Sequence, residues 1–585
     1  MSQDLHHILL GCGYRYTPAC RLPPKALLYS RDAKIGYYVK DYTTKQGVFS
    51  IALVLMGDIH LALPLGYVLA YPDIYSGRLI PHITSYKFLC YVEEMEADWD
   101  PNDLKKLYYE VDFQIQKTLD NIVISMDSGA PSDNEMEGEF TQYWSPSTQL
   151  YLLQEASRKT KLVTWRYEAT RLGGKIGIEF VTITNDDQTD LLSRWLTHSK
   201  CADQSNKISI PTHYVSVKPN RLAGVTWPPK SLGDTLRWLS DIDHNARNKV
   251  VENILASGKK RQIILLNIHN QGLLAVYVEI NNNAIAPQRH KSKGSKKPNL
   301  QHQISLLCSK QVSSKFIRLN AINADRSTLL SRNASRPGVG DLSNKRIALV
   351  GCGTIGGYLA GLLLRSGAGC GNNYLHLFDG DSFAPHNFGR HALTANEFGH
   401  SKAKALAENL MASVHIAKNI EGFYKDFPIE ESTLSLYDII IDATGRPPVS
   451  KRLALTVRAI SKEKRPIVIH AFNDGNGRAS KVLVDNGEHC YGCMVSNPQT
   501  HRAGIDLRFE LIDINKEKHI SCGSTFTPYD AAVSHITAAL AQEAALNTLE
   551  PEMPWTYNEH MFDGSRSRKP SSPKQQQKCR ICHAY

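Results

Sequence analysis

The sequence predicts a multidomain α/β protein in three parts. These are an N-terminal α+β domain over residues 1–140, a mixed α/β linker domain over 141–335 and a C-terminal Rossmann-like domain over 336–585. Three observations lead there. At 585 residues the chain is longer than one hydrophobic core organises. Its 42% apolar and 21% charged residues are the usage of a globular protein rather than of a disordered or fibrous one. Finally, an apolar strand running into Gly-X-Gly-X-X-Gly opens the last third.

In the first part, "KIGYYVKDY", "GVFSIALVLM" and "LALPLGYVLAY" are β-branched and aromatic runs separated by Gly, Asp and Pro, the pattern of successive antiparallel strands. After Cys90, Leu104, Leu107, Tyr108, Val111, Phe113 and Leu119 recur near helical spacing. Asp100 or Asn102 is positioned to cap that helix, with Pro101 near its first turn. "DSGAPSDNEMEGE", Asp127 to Glu139, is small, acidic and rich in breakers, and reads as the first link. The middle part mixes strand-like runs ("KIGIEFVTI", "RQIILLNI", "LLAVYVEI") with helical stretches and shows no catalytic constellation. A Lys-rich loop, Arg289 to Lys297, interrupts it, and Ser331 to Lys345 leads into the last part. No period of 20–50 residues repeats, which excludes a solenoid.

Charge and cysteine usage narrow the function. The formal charge of +11 is small for this length, and its Lys-rich run lacks interleaved aromatics, which argues against nucleic acid as the partner. The opening "MSQDLHHILLGCGYR" has no basic leader, and no run of eighteen apolar residues follows, so the expected location is cytoplasmic, with no membrane contact. Twelve cysteines are then expected to be reduced, and close pairs read as metal ligands or catalysts rather than disulfides.

The glycine motif comprises Gly351, Gly353 and Gly356 in "KRIALVGCGTIGGYLAGLLLRSGAG". Glycines there let the backbone approach a phosphate, and the following helix start offers unpaired amides and the positive end of a dipole. NAD enzymes, flavoproteins and adenylating enzymes share this pattern. The next strand ends "YLHLFDGD", with Asp379 and Asp381, and is followed by Asn387, Arg390 and Lys402. A dehydrogenase has no evident need for that cluster. Cleaving ATP does, because negative charge grows on the leaving pyrophosphate and fixed cations stabilise it.

Together the glycine motif, Asp-X-Asp, Asn-X-X-Arg and Gly-X-X-Lys resemble the ubiquitin-activating and ThiF/MoeB adenylyltransferase family over about residues 340 to 550. The resemblance implies that Asp379 binds the ATP ribose, while Asn387, Arg390 and Lys402 hold the phosphates and the acyl carboxylate. The chain departs at Gly445 in "DIIIDATGRPP", where the family carries an aspartate, so the Mg²⁺-side carboxylate is Asp381 or Asp442.

Two Cys-X-X-Cys pairs, Cys490 with Cys493 and Cys579 with Cys582, have the spacing to present four thiolates to one structural Zn²⁺. Cys522 stands in a Gly/Ser/Thr/Pro loop with Lys518 and His519 close by in sequence to favour its thiolate, the setting of a catalytic nucleophile. Cys352 and Cys370 are expected to be packed thiols.

Residues His82 to Pro101, "HITSYKFLCYVEEMEADWDP", resemble the active-site stretch of ubiquitin-conjugating enzymes. His82 precedes Cys90 by eight residues and Trp99-Asp100-Pro101 follows it. Ile83 and Thr84 replace the family's Pro-Asn, so Thr84, a backbone amide or water takes the oxyanion role. Activating and conjugating modules in one polypeptide resemble the E1–E2 fusion enzymes of type II CBASS antiphage operons. That resemblance implies a bacterial homodimer using ATP, Mg²⁺ and structural Zn²⁺. Its expected substrate is a protein activated at its C-terminus, a cGAS/DncV-like nucleotidyltransferase, passed from Cys522 to Cys90 and then to lysines of target proteins. Two other readings stay open: a sulfur-carrier adenylyltransferase, and a zinc-stabilised nucleotide-binding scaffold without turnover.

Overall fold

The computed structural model describes the chain apart from residues 1–2, 33, 94–96, 128–142, 145, 147, 158, 171–173, 175, 185–189, 200, 202–207, 220–225, 270, 282–299, 310–311, 333–335, 337, 514–515, 522–523 and 584–585. Both the acidic link and the Lys-rich loop fall in these gaps, as does Cys522. The chain forms two compact units, Met1–Gln188 with Cys201–Asn323, and Thr189–Lys200 with Ala324–Tyr585.

The first unit begins with an antiparallel meander of β1 (Arg15–Pro18), β2 (Gly36–Thr44), β3 (Gly47–Val54), β4 (Leu65–Ala70) and β5 (Phe88–Leu89), paired in that order. The three apolar runs read from the sequence are β2, β3 and β4. The helix Leu104–Asp127 lays Leu107, Val111, Ile115, Leu119 and Ile122 over Phe49, Ile51 and Val68. Its first turn is capped by Asp103, whose carboxylate accepts from the Lys106 amide at 3.0 Å, and not by Asp100 or Asn102. Asp100 instead closes a local turn by accepting from the Asn102 amide, and Phe113 points to solvent at 59% exposure. Lys40 and Tyr42 of β2 both reach Asp112 at 2.7 Å, fixing the helix against the sheet.

Seven strands then close a barrel in the order β10-β11-β12-β6-β8-β7-β9. They are β6 (Thr148–Leu152), β7 (Leu162–Thr170), β8 (Ile176–Thr184), β9 (Ile208–Val217), β10 (Arg261–Ile268), β11 (Gly272–Ile280) and β12 (Ser313–Asn323). The unbroken apolar run of β10 has a physical cause. Ile263 and Leu265 fill the barrel with Ala275, Tyr277 and Leu319, while Ile264 and Leu266 lie beneath Leu236, Leu239, Val250 and Ile254 of two covering helices. Both faces of that strand are buried, so no polar alternation survives.

The second unit is a twisted sheet ordered β15-β14-β13-β16-β17-β18-β23. Its strands are β13 (Ile347–Val350), β14 (Leu375–Phe378), β15 (Ile420–Phe423), β16 (Ile439–Asp442), β17 (Ile467–Asp474), β18 (Ala479–Asp485) and β23 (Tyr557–Met561). Strands β13 to β17 are parallel, and β18 and β23 are antiparallel additions. Between β18 and β23 lie two small ladders, β19 (His501–Arg502) with β20 (Ile505–Asp506), and β21 (His519–Ser521) with β22 (Ser524–Phe526). Chain order reverses at β13: β14 and β15 lie on one side, β16 and β17 on the other. In such sheets ligands sit beyond the strand ends at this point.

A buried ionic cluster joins β17, β18, β20 and β23. Lys481, fully buried, donates to Asp474 at 2.6 Å and to Asp506 at 2.7 Å. Arg508 and Arg568 each bridge Asp506 to Glu559. Burial pushes the Glu559 carboxyl up, but Arg508 and Tyr557 outweigh it and bring it from 4.5 to about 2. A lowered carboxyl contributes stability above its unfolded pKa and loses it as pH falls through the folded value. The unfolding free energy should therefore drop between pH 4.5 and about 2 in urea titrations. Glu559→Ala should cost about 2 kcal/mol at neutral pH and flatten that acid limb, because it leaves two part-buried guanidinium groups sharing Asp506 alone.

Candidate functional site

The glycine turn is built by close approach. Gly351 lies at φ +88°, and a Cβ there would come within 3.1 Å of the Thr444 backbone. A Cβ at Gly356 would meet the Gly351 carbonyl oxygen at 1.9 Å, so only glycine lets the helix Thr354–Arg365 start this tightly behind β13. Gly353, at that helix start, faces open space. The opening belongs to a cavity of about 550 Å³ lined by the ends of β13, β14, β16 and β17.

Asp379, just past β14, lies in this cavity. Its carboxylate accepts from the Cys352 amide at 2.7 Å and the Asp381 amide at 2.8 Å. Burial is the largest influence and pushes its carboxyl up from the ordinary value, against the lowering effect of those amides and Lys402. Lys402 begins the helix Lys402–Ser413 with its ammonium drawn into the cavity, 3.1 Å from Asp381. Its side chain is only 9% exposed, so this charge depends on anionic company. Arg446 and Lys518 add cations to the lining. An acid at the base, cations above and a helix start alongside suit a nucleoside with its phosphates.

Asn387 and Arg390 are not among the residues lining the cavity. The Asn387 side chain accepts from the Ala384 amide at 3.0 Å and caps the short helix Pro385–Arg390. Arg390 donates to the Thr527 carbonyl at 2.8 Å and lies 4.3 Å from the Tyr529 ring centroid. Thr527 and Tyr529 line the cavity, so Arg390 braces its wall from behind.

Asp442 corrects the sequence reading. It is 1% exposed, and its oxygens accept from Thr444 Oγ1 and amide, Ser450 Oγ and His470 Nδ1 at 2.6–3.1 Å. Burial raises its carboxyl, but these donors outweigh it and hold it below the ordinary value. With its acceptor sites used inside the protein, Asp442 has no oxygen to offer a cation. Asp381 does face the cavity, joined there by Asp426 and Asp474, which sequence reasoning missed. Asp474 lies at the β17–β18 hairpin, where Gly475, Asn476 and Gly477 all have positive φ, and "NDGNG" reads locally as a turn rather than a site.

The four paired cysteines do converge. Cys490, Cys493, Cys579 and Cys582 place their Sγ atoms within 4.8 Å of one another, four of the separations being 3.4–3.8 Å. A tetrahedral ion at Zn–S of about 2.3 Å requires sulfur separations of about 3.8 Å, so the donor set fits one. A Cβ at Gly492 would come 3.0 Å from the Cys579 sulfur, so glycine keeps the pocket open. Cys352 and Cys370 are packed as expected, and burial pushes the Cys370 thiol up to about 11.

In the first unit Cys90 follows β5 directly and is half-buried. Its amide donates to the His82 carbonyl at 2.7 Å. Thr84 closes the intervening turn, its hydroxyl accepting from the Phe88 amide at 3.0 Å. Trp99 Nε1 donates to the His60 carbonyl at 3.2 Å, and His60 Nδ1 donates to the Pro101 carbonyl at 2.9 Å, tying the Trp-Asp-Pro segment to a neighbouring loop.

Residues 12–153 match the prokaryotic E2 family B and residues 325–581 match the ThiF family. The ATP-dependent ubiquitin transferase-like protein Cap2 of Vibrio cholerae serotype O1 is 56% identical over 583 residues, covering 100% of each chain. The protein of that name from Escherichia coli strain TW11681 is 51% identical over 99% of each chain. One from Pseudomonas aeruginosa is 26% identical over 61% of this chain and 62% of its own.

The two carboxylates once equivalent in the sequence should now separate by experiment. Asp442→Ala strands the buried donors of Ser450, Thr444 and His470 and should cost about 3 kcal/mol in chemical denaturation. Asp381→Ala removes a mostly exposed carboxylate but leaves the buried Lys402 ammonium short of it, and should cost less, about 1–2 kcal/mol. Equal costs would contradict this division.

Proposed function

Because the chain belongs to the ATP-dependent ubiquitin transferase-like Cap2 family, an E2-like and a ThiF-type module in one polypeptide, we propose that it passes a protein's C-terminus along two thiols. The chain is an activating and conjugating transferase. The observation that carries the route is the convergence of buried Lys402, Asp379 and the Gly353 helix start on one cavity.

In the first step a carboxylate oxygen of the partner attacks the α-phosphorus of ATP. The bond to the β-phosphate breaks and pyrophosphate leaves. Asp379 orients the ribose, and Lys402 with Lys518 and Arg446 stabilises the growing charge. Magnesium, when bound, would neutralise phosphate charge, and Asp381 is the cavity carboxylate that would hold it. The Cys522 thiolate then attacks the acyl carbon, AMP leaves, and a thioester results. Cys90 takes the acyl group by thiol exchange, and a lysine amine of a target takes it last, releasing the Cys90 thiolate. His82 acts beside Cys90 through its main chain. Arg390, which gives one donor to the Thr527 carbonyl, and Asn387 are the residues the same reading assigns to the phosphates and the acyl carboxylate.

The division into E2-like domain 1–140, linker domain 141–335 and adenylation domain 336–585 follows the same reading. So do a structural zinc on Cys490, Cys493, Cys579 and Cys582, a homodimer through the adenylation domain, and a cytoplasmic bacterial setting in antiphage defence. A cGAS/DncV-like nucleotidyltransferase is the partner that the reading assigns. Tethering makes the second thiol transfer intramolecular, so it needs no further encounter.

With the partner protein present, the chain should exchange pyrophosphate into ATP, and Lys402→Ala should slow this about 100-fold. Cys90→Ala should retain exchange yet lose a reducible adduct on non-reducing gels. Exchange that ignores Lys402, or product formation that survives Cys90→Ala, contradicts the route. Metal analysis should find one tightly held zinc per chain. Cys493→Ser should lose it and cost several kcal/mol of stability, of the order of 3 or more.

A further inference from the structure

We infer that Tyr143, on the linker barrel, is a positioning residue for the Cys90 thiol, acting through the main chain of His82. The inference rests on the reading of Cys90 as an acyl carrier. Its observations form one connected chain within the first unit. The Tyr143 hydroxyl accepts from the His82 amide at 3.1 Å. The carbonyl of the same His82 residue accepts from the Cys90 amide at 2.7 Å. His82 is therefore held between the barrel and the cysteine.

His82 needs holding. It lies at φ +57°, a left-handed conformation uncommon outside glycine, though less so for histidine than for most residues. The grip on it is anchored in turn. Tyr143 is 3% exposed, and its own carbonyl accepts from Trp227 Nε1 at 2.8 Å. The adjacent Trp144 donates through Nε1 to the carbonyls of Ala275 on β11 and Leu319 on β12, at 3.3 and 3.2 Å. Tyr143 is thus held by Trp227 and, through its neighbour Trp144, next to two barrel strands.

Two further contacts tie the same loop to the barrel. Arg78 pairs with Thr226 in an isolated antiparallel bridge. Leu79, 6% exposed, is buried in the core that holds Tyr143, Trp144, Trp227 and Trp238. A thioester exchange needs its sulfur on a defined line of attack, and displacements near 1 Å cost about 100-fold in such reactions. The barrel therefore does more than link modules. It sets the stem on which the Cys90 sulfur stands.

The test uses the full-length chain with ATP, Mg²⁺ and the cGAS/DncV-like nucleotidyltransferase that the proposed function assigns as its partner. In Tyr143→Phe the ring stays and only the hydroxyl goes. Formation of the reducible Cys90 adduct in a single turnover should fall about tenfold, and hydrogen exchange of the Cys90 amide should rise about tenfold. Pyrophosphate exchange should be unchanged, because adenylation belongs to the other unit. Tyr143→Leu should show the same loss of transfer together with faster exchange in β11 and β12. Wild-type transfer in Tyr143→Phe overturns the inference, as does an equal fall in pyrophosphate exchange. A transfer defect confined to Tyr143→Leu also overturns it, since packing rather than the hydroxyl would then matter. If the wild-type chain forms no Cys90 adduct, the reading of Cys90 fails and this inference falls with it.

Discussion

The carbonyl oxygen of Gly351 occupies the space that any side chain at position 356 would need. That contact lets a helix start directly behind the end of β13, and it sits where the strand order reverses. Everything in the cavity follows from it. The helix start faces the opening at Gly353, Asp379 is received by the Cys352 amide of the same turn, and Lys402 arrives from the helix behind the neighbouring strand. A side chain at 356 would push helix and strand apart and separate the groups that a nucleotide must touch together.

Charge burial is the second constraint. Lys402 and Lys481 are both nearly or fully enclosed, yet they are compensated in different ways. Lys481 is saturated by Asp474 and Asp506 and ties the edge of the sheet to the chain's last segments. Lys402 pairs with the mostly exposed Asp381 and stands at the cavity, where an incoming anion meets a charge already short of water. The same residue type builds structure in one place and a receptive site in the other, and the difference lies in how many carboxylates surround it.

Much of this was legible in the sequence because it is coded by spacing. Strands β2, β3, β4, β8, β10 and β11, the glycine turn, Asp379, Lys402 and the four metal-spaced cysteines all declare themselves within a few residues. What depends on distant partners did not. Barrel closure sets β6 parallel both to β8 and, across 171 residues from Thr148 to Leu319, to β12, a pairing that no local pattern encodes. Asp442 looks like a strand-end ligand until His470, 28 residues on, is folded against it. Arg390 reads as a phosphate clamp, and no local pattern shows that the Thr527 carbonyl takes one of its donors across 137 residues. Asp474 was hidden by a turn motif with a sufficient local explanation, and Asp100, expected as the helix cap, gives way to Asp103 one turn nearer the helix. Cys522, the proposed nucleophile, lies outside the described residues, so its place rests on sequence alone.

The central claim is an ordered passage of one acyl group from an adenylate through Cys522 to Cys90. Its most direct measurement is a rapid-quench time course with ATP and the carrier protein, reading acyl mass on the two cysteine peptides in the intact chain and in Cys522→Ala. The account expects the Cys522 peptide to gain mass first and decay as the Cys90 peptide rises, with no Cys90 gain in Cys522→Ala. Acylation of Cys90 at the wild-type rate without Cys522 would contradict it.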